Sequence, residues 1–378
     1  MRCGTAFLAL LLTVALISPT AAAGPALLFD AKSGKVLYAE DPDNPWHPAS
    51  LAKLMTAYLT FEAIKSGRLA LTSKIKCSAA ANAEPPSKIG LPVGRELTVD
   101  LALQALIIKS ANDVAVMLAE AVGGSEPLFV AKMNETAKRL GMERTNFVNT
   151  NGLPAAAQIT TARDLGKLAR AILTDFPEYA HYWSMQQMRL GKNRLRSHNG
   201  LLQSVEGADG LKTGFTCDSG FNIVATATRD GRQLVAVVLG DPTSASRNVR
   251  AAGLLEYGFQ QYGWAQIFNE KTVDSMPFTP SETSVKSVRA SVASWGCNAK
   301  KPRVANAGKK QKRTAKKNGA KKSEPKAESV EAQAAAAQSE PAQGEAAEAP
   351  EASVATEIGG EPAAIELRGS VGLANSAQ

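Results

Sequence analysis

The fold of this chain is constrained most by the order in which strand-like and helix-like hydrophobic patterns follow each other along the sequence. Residues 26–30 and 35–39 are short apolar runs joined through a Ser-Gly pair, which is typical of a β-hairpin. A long block follows in which apolar residues recur every three or four positions, as in buried helices. Four strand-like runs come next, at residues 185–190, 211–216, 221–228 and 233–239. A last helical pattern closes the series, so we expect an α+β fold: an antiparallel β-sheet flanked by helices, with a helical insertion after its first strands.

The chain begins with a segment that is typical of export. Arg2 precedes an apolar stretch too short to span a bilayer, and three alanines end it at residue 23. Residues 1–23 are therefore predicted to be a signal peptide, which indicates a periplasmic or otherwise extracytoplasmic protein, at most peripheral to the membrane. The folded domain is predicted over residues 24–262, a length typical of one domain with a sizeable core.

The formal net charge of +8 conceals two oppositely charged segments at the C-terminal end, one basic and one acidic. After a linker of uncertain structure at 263–299, residues 300–322 hold eleven Lys or Arg and no acid. Residues 323–378 hold ten Glu against two basic residues, among many Ala and Pro. Both segments are too poor in apolar residues to form a core and are predicted to be disordered. The basic segment could make weak contact with an anionic surface, whereas the export signal argues against nucleic acid as a partner.

Three cysteines follow the signal segment: Cys77, Cys217 and Cys297. An odd number in an exported protein leaves either one disulfide with a spare thiol or no disulfide. Their spacing does not decide between these alternatives, so the pairing stays open.

Ser50 and Lys53 lie three positions apart at the start of a predicted helix, so their side chains share one face. A serine hydroxyl becomes a nucleophile when a base takes its proton. A lysine can be that base if burial or a second cation lowers its pKa. These two residues alone do not indicate catalysis, because a helix start followed by a surface lysine gives the same spacing.

Two further motifs favour catalysis. Ser110-Ala111-Asn112 links two apolar helical runs, and Lys212-Thr213-Gly214 lies in a predicted strand. Ser-x-x-Lys followed by motifs of these two kinds is the set found in penicillin-binding proteins and class A β-lactamases. With residues 149–153 and 210–216 also agreeing, the chain resembles the D-alanyl-D-alanine carboxypeptidases, the low-molecular-mass penicillin-binding proteins, over about residues 25–262.

The resemblance implies the fold of β-lactamases and penicillin-binding transpeptidases, an acyl-enzyme mechanism on peptidoglycan stem peptides, inhibition by β-lactams, and neither cofactor nor metal. The catalytic residues it implies are Ser50, Lys53 and Ser110. It assigns the oxyanion hole to the backbone N–H groups of Ser50 and Phe215. The substrate-binding residues it implies are Asn112, Lys212, Thr213, Gly214 and Arg247.

Several alternatives remain at this point. A DD-endopeptidase that cuts cross-links and an inactive peptidoglycan-binding module share the same domain, although a binding module does not need the catalytic residues. A class A β-lactamase needs a glutamate that activates water, and neither Glu143 nor Glu178 has a matching context. A metallopeptidase is unsupported because His47, His181 and His198 show no ligand spacing on a helix.

Overall fold

The computed structural model describes residues 24–268, 270–292 and 297, with the backbone alone over 264–268. The predicted signal peptide at 1–23 and the predicted basic and acidic segments at 300–378 lie outside the described residues, so these predictions stay untested.

The described residues form a central antiparallel sheet and two short hairpins. The strands are β1 (Ala26–Asp30), β2 (Val36–Glu40), β3 (Lys74–Lys76), β4 (Glu96–Thr98), β5 (Gln187–Leu190), β6 (Asn193–Arg196), β7 (Ala208–Thr216), β8 (Gly220–Arg229) and β9 (Arg232–Asp241). The central sheet has the order β2-β1-β9-β8-β7, and every neighbouring pair is antiparallel. Strand β7 is therefore an edge strand, with one side free to face a ligand.

The helices lie mostly between β2 and β7. They are α1 (Lys53–Lys65), α2 (Ala79–Ala83), α3 (Val99–Gln104), α4 (Asn112–Gly123), α5 (Glu126–Arg139), α6 (Ala162–Asp175), α7 (Ala180–Ser184), α8 (Leu201–Ser204) and α9 (Ser244–Phe268). Short polar side chains cap several of them: the hydroxyls of Thr98, Ser125 and Thr161 accept hydrogen bonds from the first turns of α3, α5 and α6. A π-helical turn, Ala105–Lys109, follows α3 directly.

Both faces of the sheet are covered, which explains why its inner strands read as unbroken apolar runs. Strand β9 turns Leu234 and Ala236 toward α9, where they pack with Leu255. Its alternate residues Val235 and Val237 pack into the larger core on the helical side. This arrangement of an antiparallel sheet between helices confirms the predicted fold class.

The chain folds back onto the domain after α9. The predicted boundary at residue 262 falls inside α9, which continues to Phe268. Residues 270–292, here called the C-terminal segment, then contact β2 through a hydrogen bond from the Val36 N–H to the Lys271 carbonyl, 2.9 Å. One disulfide joins Cys217 to Cys297, and Cys77 is a buried free thiol. The positions of the three cysteines in the sequence did not predict which two would form a disulfide.

A buried ion pair ties the C-terminal segment to the helical side. The Arg163 guanidinium meets both carboxylate oxygens of Asp43, at 2.7 and 2.8 Å, and both side chains are under a tenth exposed. The same guanidinium donates to the carbonyls of Met276 and Pro277, 2.7 and 2.8 Å away. The Arg163 guanidinium therefore joins three parts of the chain that are far apart in sequence: α6, the region of Asp43 and the C-terminal segment.

Over the described ranges, no single helix is both long and apolar enough to cross a membrane, although α4 and α5 pass that test together despite an 82° bend between them.

Candidate active site

Ser50 and Lys53 meet at the start of α1, as their spacing predicts. Ser50 lies in a 3₁₀ turn, Ala49–Ala52, that leads directly into the helix at Lys53. The Lys53 Nζ lies 3.2 Å from the Ser50 Oγ. Lys53 is only 1% exposed, so its amine is shielded from water. Ser50 is partly exposed, so its hydroxyl is accessible from a cavity.

Three oxygen atoms surround the Lys53 amine. Besides the Ser50 hydroxyl, the Nζ donates to the Asn112 Oδ1 at 2.7 Å and to the Asn151 carbonyl at 2.5 Å. Burial lowers the pKa of Lys53 well below its ordinary value, and the charge of Lys212 lowers it further. A lysine that releases its proton easily, held against a serine hydroxyl, has the properties of a general base.

Ser110 and Asn112 sit where the π-helical turn gives way to α4. Ser110 adopts a left-handed conformation, φ 58°, and its Oγ is buried without a hydrogen-bond partner among the described residues. An unpaired hydroxyl that lines a cavity is available to a ligand. The Asn112 amide is fixed at both ends, because its Oδ1 accepts from Lys53 and its Nδ2 donates to the Pro85 carbonyl at 2.9 Å. The Asn112 Nδ2 carries a second hydrogen, which can donate to a ligand in the cavity that Asn112 lines.

The Lys-Thr-Gly motif lies on β7 and packs against the turn that holds Ser50. A Cβ on Gly214 would stand 2.9 Å from the Pro48 carbonyl and 3.1 Å from the Ser50 nitrogen. Only glycine lets the strand come this close. Phe215, the next residue, lines the same cavity as Ser50. These are the two residues whose N–H groups were predicted to form the oxyanion hole.

The cationic end of the site is formed by Lys212 and Arg247. Lys212 is 2% exposed, its Nζ donates to the Thr213 carbonyl at 3.0 Å, and burial together with Arg247 lowers its pKa to about 7. Arg247, near the start of α9, is 4% exposed and pairs with the Asn248 Oδ1 at 2.7 Å. Burial lowers the Arg247 pKa to about 10, so this side chain keeps its charge at neutral pH.

These residues line one cavity of about 460 Å³, here called the catalytic cavity. Ser50, Ser110, Asn112, Thr213, Gly214, Phe215 and Arg247 all contribute to its wall. Lys53 and Lys212 lie just behind the wall, where Lys53 contacts Ser50 and Asn112 and Lys212 contacts the Thr213 carbonyl. Every predicted site residue is therefore found at this cavity or directly behind it.

Two features of the site had no role predicted from the sequence. The first is the loop at 149–153, whose Asn151 carbonyl accepts from Lys53. Gly152 in this loop has a φ of 84°, and a Cβ there would stand 1.7 Å from the Ala49 carbonyl. The glycine therefore allows the loop to lie directly against the Ser50 turn. The agreement of 149–153 with the family pattern, together with its single glycine, was the available signal.

The second is His198, which lines the catalytic cavity. Burial and the positive charges of Lys212, Lys109 and Arg247 lower its pKa to about 4. His198 is therefore neutral at physiological pH. It was weighed only as a metal ligand, because nothing local marks it as part of this cavity.

Comparison with known proteins agrees with this geometry. Residues 13–243 match the peptidase family described as D-alanyl-D-alanine carboxypeptidase, and the chain belongs to this family. The D-alanyl-D-alanine carboxypeptidase DacA of Haemophilus influenzae is 35% identical over 241 residues, which cover 62% of this chain and 61% of that protein. The match thus spans about three fifths of that relative's length.

Solved structures give the same result for the fold. Penicillin binding protein 6B from Escherichia coli is 35% identical with a TM-score of 0.61, covering 64% of this chain and 79% of that chain. Penicillin-Binding Protein D2 from Listeria monocytogenes, in its cefotaxime-bound form, is 33% identical with a TM-score of 0.58, covering 63% of this chain and 97% of that chain. The expected family resemblance is confirmed.

Proposed function

We propose that this protein is a serine-type D-alanyl-D-alanine carboxypeptidase, which removes the terminal D-alanine from peptidoglycan stem peptides through an acyl-enzyme on Ser50. The single observation behind the proposal is the contact of 3.2 Å between the Ser50 hydroxyl and a fully buried Lys53. Burial and the charge of Lys212 lower the pKa of Lys53 well below its ordinary value, which favours the neutral amine, and only a neutral amine can accept the serine proton.

In the proposed acylation step, the Ser50 Oγ attacks the carbonyl carbon between the two D-alanines while its proton passes to the Lys53 Nζ. The carbonyl oxygen becomes an oxyanion held by the N–H groups of Ser50 and Phe215. One such donor contributes about 3 kcal/mol in related chemistry. The C–N bond then breaks, the nitrogen of the departing D-alanine takes a proton through the unpaired Ser110 hydroxyl, and an ester on Ser50 remains. Water cleaves the ester and restores the serine.

The terminal carboxylate of the substrate requires a cationic pocket. Lys212 and Arg247 supply positive charge at one end of the catalytic cavity, and Thr213 supplies a hydroxyl beside them. A β-lactam presents a carboxylate and a strained amide in the same relation, so we propose that it acylates Ser50. The cefotaxime-bound Listeria relative supports this part of the proposal.

We also propose that the protein acts outside the cytoplasm, where its substrate lies. The support is the export-type composition of residues 1–23 and the disulfide between Cys217 and Cys297, a bond that persists in oxidising compartments.

The test is D-alanine release from a synthetic stem pentapeptide. We expect release by the wild type and none by Ser50→Ala at equal concentration. A cross-linked stem-peptide dimer measured in parallel separates the endopeptidase alternative, which would cut the dimer faster than the pentapeptide. A folded wild type that neither releases D-alanine from the pentapeptide nor cuts the dimer would contradict both activities and favour the binding module.

A further inference from the structure

A strongly basic hairpin lies beside the catalytic cavity, and the proposed reaction does not use it. Strands β5 and β6 form this hairpin, which carries four exposed basic side chains: Arg189, Lys192, Arg194 and Arg196. The sequence contains no Asp or Glu from 179 to 205. Over the described ranges, none of the four basic side chains forms an ion pair with a carboxylate.

The two faces of the hairpin differ in polarity because side chains alternate along each strand. Met188 and Leu195 are opposite each other and pack into the core. On the other face, Arg189 is opposite Arg194, and Arg196 lies one pair further along. Three guanidinium groups therefore share the outer face of the hairpin, here called the basic face.

The basic face contains an arrangement that costs stability. Like charges directly opposite each other destabilise an antiparallel pair of strands. Arg189 and Arg194 occupy such positions, and Arg194 donates to the neutral side chain of Gln187. The fold therefore retains a repulsion that no carboxylate of the described residues offsets. A bound anion would relieve this repulsion, so the basic face is better suited to a ligand than to stabilising the hairpin.

The hairpin is held close to the catalytic cavity. Strand β6 packs against the π-helical turn that precedes Ser110. The Asn199 Nδ2 donates to the Gly210 carbonyl at 3.0 Å, which ties the end of the hairpin to β7. Arg196 comes two positions before His198, which lines the cavity, and two residues span at most about 7 Å. The basic face therefore begins at the cavity wall.

Positive charge continues from the catalytic cavity onto the basic face. Besides burial, the charges of Lys212 and Arg247 lower the pKa of His198, so His198 lies at the cationic end of the cavity. Clustered charge of one sign attracts a ligand of the opposite sign. Peptidoglycan is such a ligand, because each uncleaved stem peptide ends in a carboxylate. When one stem peptide occupies the cavity, the carboxylates of neighbouring stem peptides can reach the adjoining basic face.

We propose that the basic face binds carboxylates of the peptidoglycan polymer next to the stem peptide that is being cut. It holds the polymer beside the cavity without touching the reacting atoms. The inference rests on the carboxypeptidase function proposed above and names polymeric, carboxylate-bearing peptidoglycan as the substrate class of the same site.

The experiment measures co-sedimentation of the full chain with purified peptidoglycan sacculi at low ionic strength. Every protein carries Ser50→Ala, so the polymer is not cut and binding does not depend on catalysis. In this background, the triple variant Arg189→Gln, Arg194→Gln and Arg196→Gln should bind the sacculi roughly tenfold more weakly, the combined effect of three exposed ion pairs.

The matched control removes three charges from the other short hairpin through Lys74→Gln, Lys76→Gln and Arg95→Gln. These side chains are exposed and do not line the catalytic cavity. We expect the control to weaken binding less than about twofold. Equal weakening by both triple variants would mean that only net charge matters, and the proposal would be wrong.

Two further arms identify the ligand. On sacculi whose carboxylates have been converted to amides, the difference between the two triple variants should disappear; a difference that persists would overturn the proposal. With phosphatidylglycerol vesicles in place of sacculi, the two triple variants should bind alike. A basic face that is needed for the vesicles and not for the sacculi would also overturn it. D-Alanine release by the chain with Ser50 intact is measured separately, so a chain that binds the polymer without releasing D-alanine would contradict the proposed function alone.

Discussion

Breaking the Cys217–Cys297 disulfide should lower the free energy of unfolding by an amount set by the length of chain it closes. The two cysteines are 80 residues apart in sequence. In the chain-entropy model, a loop of that length restricts the unfolded chain by about 4.5 kcal/mol at 25 °C. The bond joins the turn after β7 to a residue beyond the C-terminal segment, so its loss also frees the end of that segment. We therefore expect replacement of both cysteines by serine to destabilise the protein by about this amount.

Urea unfolding followed by tryptophan fluorescence measures the effect. The doubly substituted protein and the reduced wild type should unfold at the same, lower urea concentration. Cys77→Ser is the control, because Cys77 is a buried free thiol and its loss should leave the response to reductant unchanged. A reductant-induced loss smaller than about 1 kcal/mol would show that restriction of the unfolded chain is not how this disulfide stabilises the protein, because a closed loop of this length cannot contribute so little in the chain-entropy model.

Three further outcomes follow from the site and the core. Ser110→Gly should abolish D-alanine release yet raise the free energy of unfolding by about 1 kcal/mol in urea titrations, because a φ of 58° is strained for any residue except glycine. Arg163→Ala should cost about 3–5 kcal/mol by leaving Asp43 buried without its partner, whereas Arg139→Ala, which breaks an exposed pair, should cost less than about 1 kcal/mol. KM for a stem pentapeptide, measured as a function of pH, should rise above about pH 7. Lys212 has a pKa of about 7, so at higher pH it loses the positive charge that binds the substrate carboxylate. A KM that does not change with pH would contradict this role of Lys212.

The elements that local sequence determines were predictable. The caps at Thr98 and Thr161 depend on hydroxyls that bond backbone groups three residues away, so a short window contains the whole interaction. The Ser50–Lys53 contact is local for the same reason. The strands β8 and β9 were visible because each is a long apolar run.

Features that depend on distant contacts were not predictable. The Asn151 carbonyl meets Lys53 across 98 positions of sequence, and any residue type could supply a backbone carbonyl. Strands β3 and β4 have three residues each, too few to establish a periodicity. The sequence predicts the end of the domain at 262 because the polar residues of 270–292 are typical of a linker. The contacts of this segment come from isolated apolar residues such as Val273 and Met276, which join the core, and from backbone groups and ion pairs, none of which forms a hydrophobic period.

Nucleophilic catalysis by Ser50 is tested most directly by intact-protein mass spectrometry after addition of a penicillin. Nucleophilic attack by Ser50, supported by Lys53, predicts a mass gain of one drug molecule that peptide mapping assigns to Ser50. The gain should be absent from Ser50→Ala. It should fall strongly in Lys53→Met, which removes the amine but keeps an apolar side chain of similar length. A wild type that remains unmodified while folded, or an adduct that persists in Ser50→Ala, would contradict nucleophilic attack by Ser50.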